Sequence, residues 1–566
     1  RPATRAPCGP RSARDRSHDP GLTAHDRRAR RRAPGPRPTA TSSILRRVTG
    51  FVSIVGAGPW DPELLTLAGR DRLARADVVI ADYLVNPALF VHCRADVHLY
   101  QRTEGPHGGA HGEPVPDQDA INRLMVERAK TGLYVVRLKG GDPMVFGRGA
   151  EEAEVLVAAG IPFEFVPGVS AAIAAPEAAG IPVTHRDHTP CVSLVSGYEA
   201  YEKGGRAVDW EHLARGTGTL VLMMSVRNCR QNAERLIAAG RDPATPTAVI
   251  RWGTRGIQRT IVSTLGQIAD RVEAEALRPP AVMVVGSVVD LRRTAQWFER
   301  RPLFGRRVVV TRARHQASDL LQLLAGHGAD AVAVPCLDVA PPVDLEALTT
   351  AAHRLDELDG IILSSPNGVR AWFDALAGLN LDVRVLHGKC IAAIGTGTAN
   401  ACWERGIRAD VVPSAARSEG LVEALATRGL LDRRWLHVRA DEGRDLLGDA
   451  IRAAGGAYHL VIGYRVIRPK VPAMLTRSLL PVEHGGEGTD AICFASGKTA
   501  RHFVDLLVEA HGDALARDVL ARAKLIALGP VTAGALEAMD LRVDAVAAGL
   551  TDDAMLAAVL QALGRA

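Results

Sequence analysis

From Phe51 onward the chain alternates short apolar runs with longer amphipathic stretches, and several of the runs stop at glycine or a polar residue. FVSIVG (51–56), ADVVIADYLV (76–85), LYVVRLKGG (133–141), PFEFVPG (162–168), CVSLVSG (191–197), TLVLMMS (219–225), TAVIRWG (247–253) and AVMVVGSVV (281–289) all read as strands. Helical stretches such as INRLMVERA (121–129) lie between some of them, so the pattern predicts an α/β domain ending near Glu299. ERRPLFGRR (299–307) then breaks it with charge, proline and glycine, which predicts a linker over 300–307.

Beyond the linker the pattern repeats. The block from Val310 resembles that from Val438; the block from Asp359 resembles that from Asp490, aligning Ser365 with Ser496 and Arg370 with Arg501; the block from Ala392 resembles that from Ile526, aligning Gly395 with Gly529 and Thr398 with Thr532. Constant order and spacing predict two similar α/β lobes facing a shared cleft, each offering hydroxyls and free backbone N–H groups at helix starts, as anion binding needs.

Composition narrows the class. The 566 residues are 47% hydrophobic and 23% charged, with no apolar run long enough to cross a bilayer, which predicts a soluble multidomain protein. Eight scattered cysteines without a CxxC pair indicate neither a zinc knuckle nor a disulfide framework, and a cytoplasmic location is expected. The net charge of +6 is inflated by residues 1–50, an Arg/Pro-rich arm containing RRARRRAPGPRP. That arm is expected to be disordered and to be upstream sequence included by a misplaced start, rather than a nucleic-acid contact. No nucleic-acid or membrane partner is expected.

The richest motif is VVRLKGGDPMVFGRGAEE, Val135 to Glu152. It ends a strand in a loop where Gly140 and Gly141 remove side-chain crowding, Asp142 offers a carboxylate, and Arg148 precedes a helix beginning near Glu151. An ordinary strand-to-helix turn needs one such glycine. As a dinucleotide fingerprint, GAGPWDP (56–62) is weak, because the third glycine is missing.

GAGPxDPELLTL, Asp82-Tyr83 in IADYLV, VVRLKGGDPxVFGRG, PGVSAAIAAPEAAGIPVTHR, DWEHLA, TLVxxM, WGT with IQR, and VVGSVVDL occur in an order that resembles the uroporphyrinogen-III C-methyltransferases over residues 51–298. The resemblance implies a tetrapyrrole methyltransferase domain of two α/β subdomains, forming a homodimer and binding S-adenosylmethionine between the subdomains. Its implied cofactor contacts are Pro59, Gly140, Gly141, Asp142, Val145, Ser170, Ala171, Met224 and Gly253. A sulfonium ligand with an amino-acid end and an adenine needs close backbone approach, a carbonyl-rich or acidic surface and an apolar slot, which suits these residue types. The implied acceptor is an octacarboxylate macrocycle methylated at two pyrrole carbons to give precorrin-2, with Arg102, Arg148 and Arg186 facing its carboxylates and Asp82 as the base. Two positions depart from the family: Trp60 stands where it has glycine, and Gln101 replaces a lysine proton donor. The loop at 103–117 offers His107 and His111 instead; no metal site is expected there, and methylation is expected to persist with altered proton handling.

VVTRAR, SSPNGV, AAIGTGTA, HVRADEGRDLL with GYRV, FASGKTA and ALGPVTA resemble uroporphyrinogen-III synthase. That implies a two-lobed α/β domain over 308–566, with lobes 308–338 plus 468–566 and 339–467. Its reaction closes hydroxymethylbilane with inversion of the last ring, losing water without a cofactor. The resemblance gives Tyr464 the role of helping the hydroxyl leave; Thr311, Arg312, Ser365, Ser496, Lys498 and Thr532 are candidate carboxylate contacts. The two reactions are consecutive and lead to sirohaem and corrinoids. The alternatives are methylation of a later corrin intermediate, or a C-terminal tetrapyrrole sensor without chemistry.

Overall fold

A computed structural model describes residues 50–93, 96–100, 118–198, 208–312, 314–443, 445–469, 471 and 473–564. Among the described residues, twenty strands make four five-stranded sheets. The first holds β1 (Phe51–Gly56), β2 (Val78–Asp82), β3 (Asp96–Tyr100), β4 (Tyr134–Lys139) and β5 (Phe163–Val166). The second holds β6 (Val192–Ser196), β7 (Thr219–Met223), β8 (Pro246–Arg251), β9 (Arg259–Thr264) and β10 (Ala281–Val285). The remaining strands are β11 (Arg307–Val310), β12 (Asp330–Ala333), β13 (Asp338–Ala340), β14 (Gly360–Leu363), β15 (Cys390–Ala393), β16 (Arg434–Ala440), β17 (Ala457–Ile467), β18 (Ala491–Phe494), β19 (Lys524–Ala527) and β20 (Ala545–Val546).

Sheet one is parallel, in the order β3-β2-β4-β1-β5. Period-2 alternation sends Val52, Ile54, Val78 and Ile80 into one core and Val55, Val79 and Ala81 into another, so both faces are covered and the strands read as continuous apolar runs. Sheet two runs β6-β7-β10-β8-β9, with β10 antiparallel to β7 and β8, and separates Leu220 and Leu222 from Val221 in the same way.

The internal repeat emerges as a repeated topology. One sheet runs β12-β11-β18-β19-β20 and the other β13-β17-β16-β14-β15, so the aligned blocks β11/β16, β18/β14 and β19/β15 occupy equivalent places. Local geometry repeats as well. Ser365 and Ser496 cap their helices with φ −160° in both cases, and Gly395 and Gly529 precede theirs at φ −178° and −175°. The segment expected as a linker is packed down: Leu303 is fully buried in the core beneath β11, and its N–H donates to the His327 carbonyl. Among the described residues, no helix is long and apolar enough to cross a membrane.

Candidate active sites

The loops after β1, β4 and β5 meet through glycine. A β-carbon on Gly56 would lie 2.6 Å from the Gly168 Cα, and one on Gly168 would lie 2.3 Å from the Gly141 carbonyl oxygen, so only glycine permits these contacts. Gly141, at φ +71°, exchanges backbone hydrogen bonds of 2.8 and 3.2 Å with Gly58. Asp142 holds the loop shut by accepting from the N–H groups of Met144 (2.8 Å) and Gly168 (3.0 Å), while Val145 closes a turn on the Asp142 carbonyl. Ser170 caps helix Ala171–Ala178 by accepting from the Ala172 N–H, and a β-carbon on Gly141 would stand 3.7 Å from the Ala171 nitrogen.

The second sheet supplies the facing loops. Gly253, after β8, sits against that same helix, where a β-carbon would come within 2.3 Å of Ala175 Cβ. The Thr254 hydroxyl donates to the Pro59 carbonyl and so joins the loops after β1 and β8. Met224, after β7, is half exposed at φ +57°. Among the described residues nine non-glycine residues have positive φ, and six of them (Trp60, Phe146, Arg148, Met224, Trp252 and Thr254) lie in or beside these loops, so backbone strain concentrates there. Pro59, Gly141, Asp142, Ser170, Ala171 and Gly253 are therefore tied together by these contacts, with close backbone approach between the loops, and Met224 directly follows β7, in the same sheet as the strand β8 that precedes Gly253.

Asp82 ends β2 on the face shared by Ile80, Arg137 and Lys139, over which helix Gly149–Ala158 lies. Arg137, 1% exposed, donates to Asp82 Oδ1 at 2.5 Å, to Glu152 Oε1 at 3.1 Å and to the Ile80 carbonyl at 3.2 Å. Lys139 donates to Glu152 Oε1 at 2.7 Å and stands 3.9 Å from Asp82 Oδ2. Burial works against the Arg137 charge, but Asp82 and Glu152 outweigh it and raise its pKa. Burial and the neighbouring Arg137 pull Lys139 below the usual lysine range. The result is two cations and two carboxylates, with only the Asp82 side chain reaching solvent, 28% exposed.

Of the expected acceptor-binding arginines, Arg148 pairs with Glu151 at 2.6 Å beside this region and Arg186 is exposed in the turn after helix Ala171–Ala178. Arg102, Gln101, His107 and His111 lie outside the described residues.

In the C-terminal sheets, Tyr464 near the end of β17 is buried, and its hydroxyl lies 2.8 Å from Ser365 Oγ, which also accepts from the Gly368 N–H. Burial raises the Tyr464 pKa against the opposing pull of Ser365, which keeps the phenol protonated. Lys498 reaches from one repeat to Glu442 of the other, Nζ to Oε2 2.6 Å. Ser496 forms a capping box with Thr499. Arg312 pairs with Asp552, Thr311 is fully buried with its hydroxyl on the Cys493 carbonyl, and Thr532 is buried with a 3.5 Å contact to the Ala495 carbonyl. Tyr464 and Ser365 are brought together, whereas Thr311 and Thr532 use their hydroxyls on neighbouring backbone.

A family model of tetrapyrrole (corrin/porphyrin) methylases matches residues 52–269, and one of uroporphyrinogen-III synthase HemD matches residues 318–557. The porphyrin biosynthesis protein HemD of Ruminiclostridium josui is 37% identical over 379 residues, covering 67% of this chain and 74% of that protein. The chain belongs to this family of tetrapyrrole methylases fused to a uroporphyrinogen-III synthase domain. A uroporphyrinogen-III C-methyltransferase of Bacillus subtilis (strain 168) is 39% identical over 61% of this chain and 69% of its own length. An S-adenosyl-L-methionine-dependent uroporphyrinogen III methyltransferase of Methanosarcina barkeri is 48% identical over 43% of this chain and 93% of its own length.

Sequence reasoning overlooked Arg137, Lys139 and Glu152 of the methylase half as functional residues. All three sit inside the VVRLKGGDPMVFGRGAEE motif. The available signal was a pair of cations two residues apart on an otherwise apolar strand, which places both on one buried face and demands a buried carboxylate opposite. The synthase half carried a similar signal at His437, buried in β16 with its Nδ1 2.8 Å from the Tyr458 hydroxyl.

Proposed function

We propose that the chain carries out two consecutive steps: residues 308–566 cyclise hydroxymethylbilane to uroporphyrinogen III, and residues 51–299 methylate that product twice with S-adenosylmethionine to precorrin-2, towards sirohaem and cobalamin. The observation carrying this reading is that the Pro59, Gly141, Ser170 and Gly253 loops are tied together by hydrogen bonds and close contacts, in a methylase half that presents the partly exposed Asp82 and in a chain whose other half pairs Tyr464 with Ser365. The relative from Methanosarcina barkeri is S-adenosylmethionine-dependent by name, which supports the same cofactor here.

Bound S-adenosylmethionine would supply an electrophilic methyl group to a nucleophilic pyrrole carbon. Gly140, Gly141, Ser170, Ala171 and Gly253 let the backbone approach it, Asp142 holds their loop, and Met224 contributes an apolar side chain. Methylation leaves a positive charge on the macrocycle and a proton to be removed, and the partly exposed Asp82 carboxylate, fixed by Arg137, accepts it. In the synthase half the protonated Tyr464 donates to the departing hydroxyl, oriented by Ser365, and no cofactor is required. The methylase half works as a homodimer, in the cytoplasm.

Uroporphyrinogen III and methyl-labelled S-adenosylmethionine test the assignment. Asp82→Asn should lower methyl transfer by roughly 10²–10⁴-fold while S-adenosylhomocysteine still binds. Transfer within twofold of the native rate would remove Asp82 as base.

A further inference from the structure

The two halves meet at the cofactor loops. Arg255, three residues after Trp252, points away from the methylase core and is only 3% exposed. Its guanidinium makes a two-pronged bond to Asp330 at the start of β12, Nε to Oδ1 3.0 Å and Nη2 to Oδ2 2.9 Å, and Nη2 reaches Glu487 Oε2 at 3.1 Å. Arg307 pairs with the same Glu487 and lies 3.6 Å from Asp330, so two buried cations face the buried Asp330 and the partly exposed Glu487. On the other side the Arg255 guanidinium carbon stands 4.2 Å from the Trp60 ring centre and 4.4 Å from that of Trp252, in cation–π contact with both.

Trp60 directly follows Pro59, and Trp252 directly precedes Gly253. Both tryptophans are held at positive φ, +77° and +52°, a conformation that a residue bearing a β-carbon keeps only where its surroundings impose it. The surroundings here are Arg255 and, through it, the synthase half. The backbone is sealed to match: a β-carbon on Gly256 would lie 2.1 Å from the Asp330 nitrogen, and the Gly305 N–H donates to the Gly256 carbonyl at 2.7 Å. The departure of Trp60 from the family's glycine thus has a structural partner in this fused chain.

We propose that the synthase half braces the S-adenosylmethionine cleft, with Arg255 as the positioning residue that ties the Pro59–Trp60 and Trp252–Thr254 loops to Asp330 and Glu487. This rests on the cofactor reading of those loops. Arg255 does not touch the reacting atoms; it sets where the Pro59 carbonyl and Gly253 stand. Cutting the brace should weaken cofactor binding and leave the chemical step alone.

The test uses the full chain with two independent variants, Trp60→Gly, which removes the stack and relieves the positive φ, and Glu487→Gln, whose side chain is 32% exposed, each checked for native-like unfolding before binding is measured. Calorimetric affinity for S-adenosylhomocysteine and steady-state methylation of uroporphyrinogen III are the readouts. The proposal expects Kd and the KM for S-adenosylmethionine to rise about tenfold, the loss expected from one desolvated cation–π or charge-assisted contact. The kcat, the KM for uroporphyrinogen III and the cyclisation of hydroxymethylbilane should stay within about twofold, and Trp60→Phe, which keeps a ring against Arg255, should restore most of the affinity. Affinities within twofold of native in both variants would overturn the brace. A native chain that binds no S-adenosylhomocysteine would instead overturn the cofactor reading, and the brace with it.

Discussion

Asp82, the proposed base, is held by what lies behind it. Glu152 is fully buried and holds Arg137 and Lys139 through one oxygen, Oε1, while Oε2 lacks a partner among the described residues. Neutralising it leaves two buried cations facing Asp82 alone, so Glu152→Gln should destabilise the chain by about 3–5 kcal/mol in denaturant unfolding. A loss under about 1 kcal/mol would mean that the cluster is not electrostatically tight. In the synthase half, burial first and Arg439 second push the His437 pKa down to about 4 from 6.5. Above pH 6.5 the folded and unfolded forms are equally unprotonated there. Between pH 6.5 and about 4 the unfolded chain binds a proton that the folded chain refuses, so stability declines as pH falls, by up to about 3 kcal/mol from this group. Replacing His437 with Gln should flatten that decline, measured by denaturant midpoints across the window; an unchanged slope would contradict the shift.

At the scale of elements, the loops proposed to hold the cofactor depend on helix Ala171–Ala178 lying flush against the turn after β8. Gly253→Ala would force a β-carbon to within 2.3 Å of Ala175 Cβ and 2.7 Å of its Cα. It should cost about 1–3 kcal/mol and weaken S-adenosylhomocysteine binding, since helix and loop must part. Unaltered stability and binding would show that the contact gives way freely. Eight strands of the methylase half were legible as apolar runs: six are central and, covered on both faces, must be apolar throughout, and the edge strands β5 and β6 still carry Phe163, Phe165, Val192 and Leu194. The strands β3 and β9 escaped. Both are edge strands, and in β9 only Ile261 is buried, with Arg259 and Val262 exposed, so the run carries little apolar signal. The repeat, by contrast, was readable down to the capping serines, because Ser365 and Ser496 perform the same backbone task.

For the whole molecule, the contacts least visible in sequence are those between the halves. Asp330 and Glu487 lie 75 and 232 positions from Arg255, and nothing local marks Arg255 or Asp330 as buried. ERRPLFGRR reads as a polar connector, yet Leu303 enters the synthase core and Arg301 lies over Trp297 and Phe298 at 4.7 and 4.9 Å. Charge and proline mark a break in periodicity but do not say whether the break is solvated. Around the proposed site, backbone geometry was legible where a motif fixes its shape, as at Gly141 and Gly253, and less so where a hydroxyl has two uses. Thr311 and Thr532 look like Ser365 in sequence, but their hydroxyls contact the backbone and that of Ser365 meets Tyr464. The proposed pair of consecutive reactions in one chain is tested by supplying the full-length protein with hydroxymethylbilane, with and without S-adenosylmethionine, and following the products by isomer analysis and mass. Uroporphyrinogen III is expected without the cofactor and a dimethylated product with it. Only the spontaneously formed isomer I, or isomer III left unmethylated in the presence of S-adenosylmethionine, would contradict the proposal.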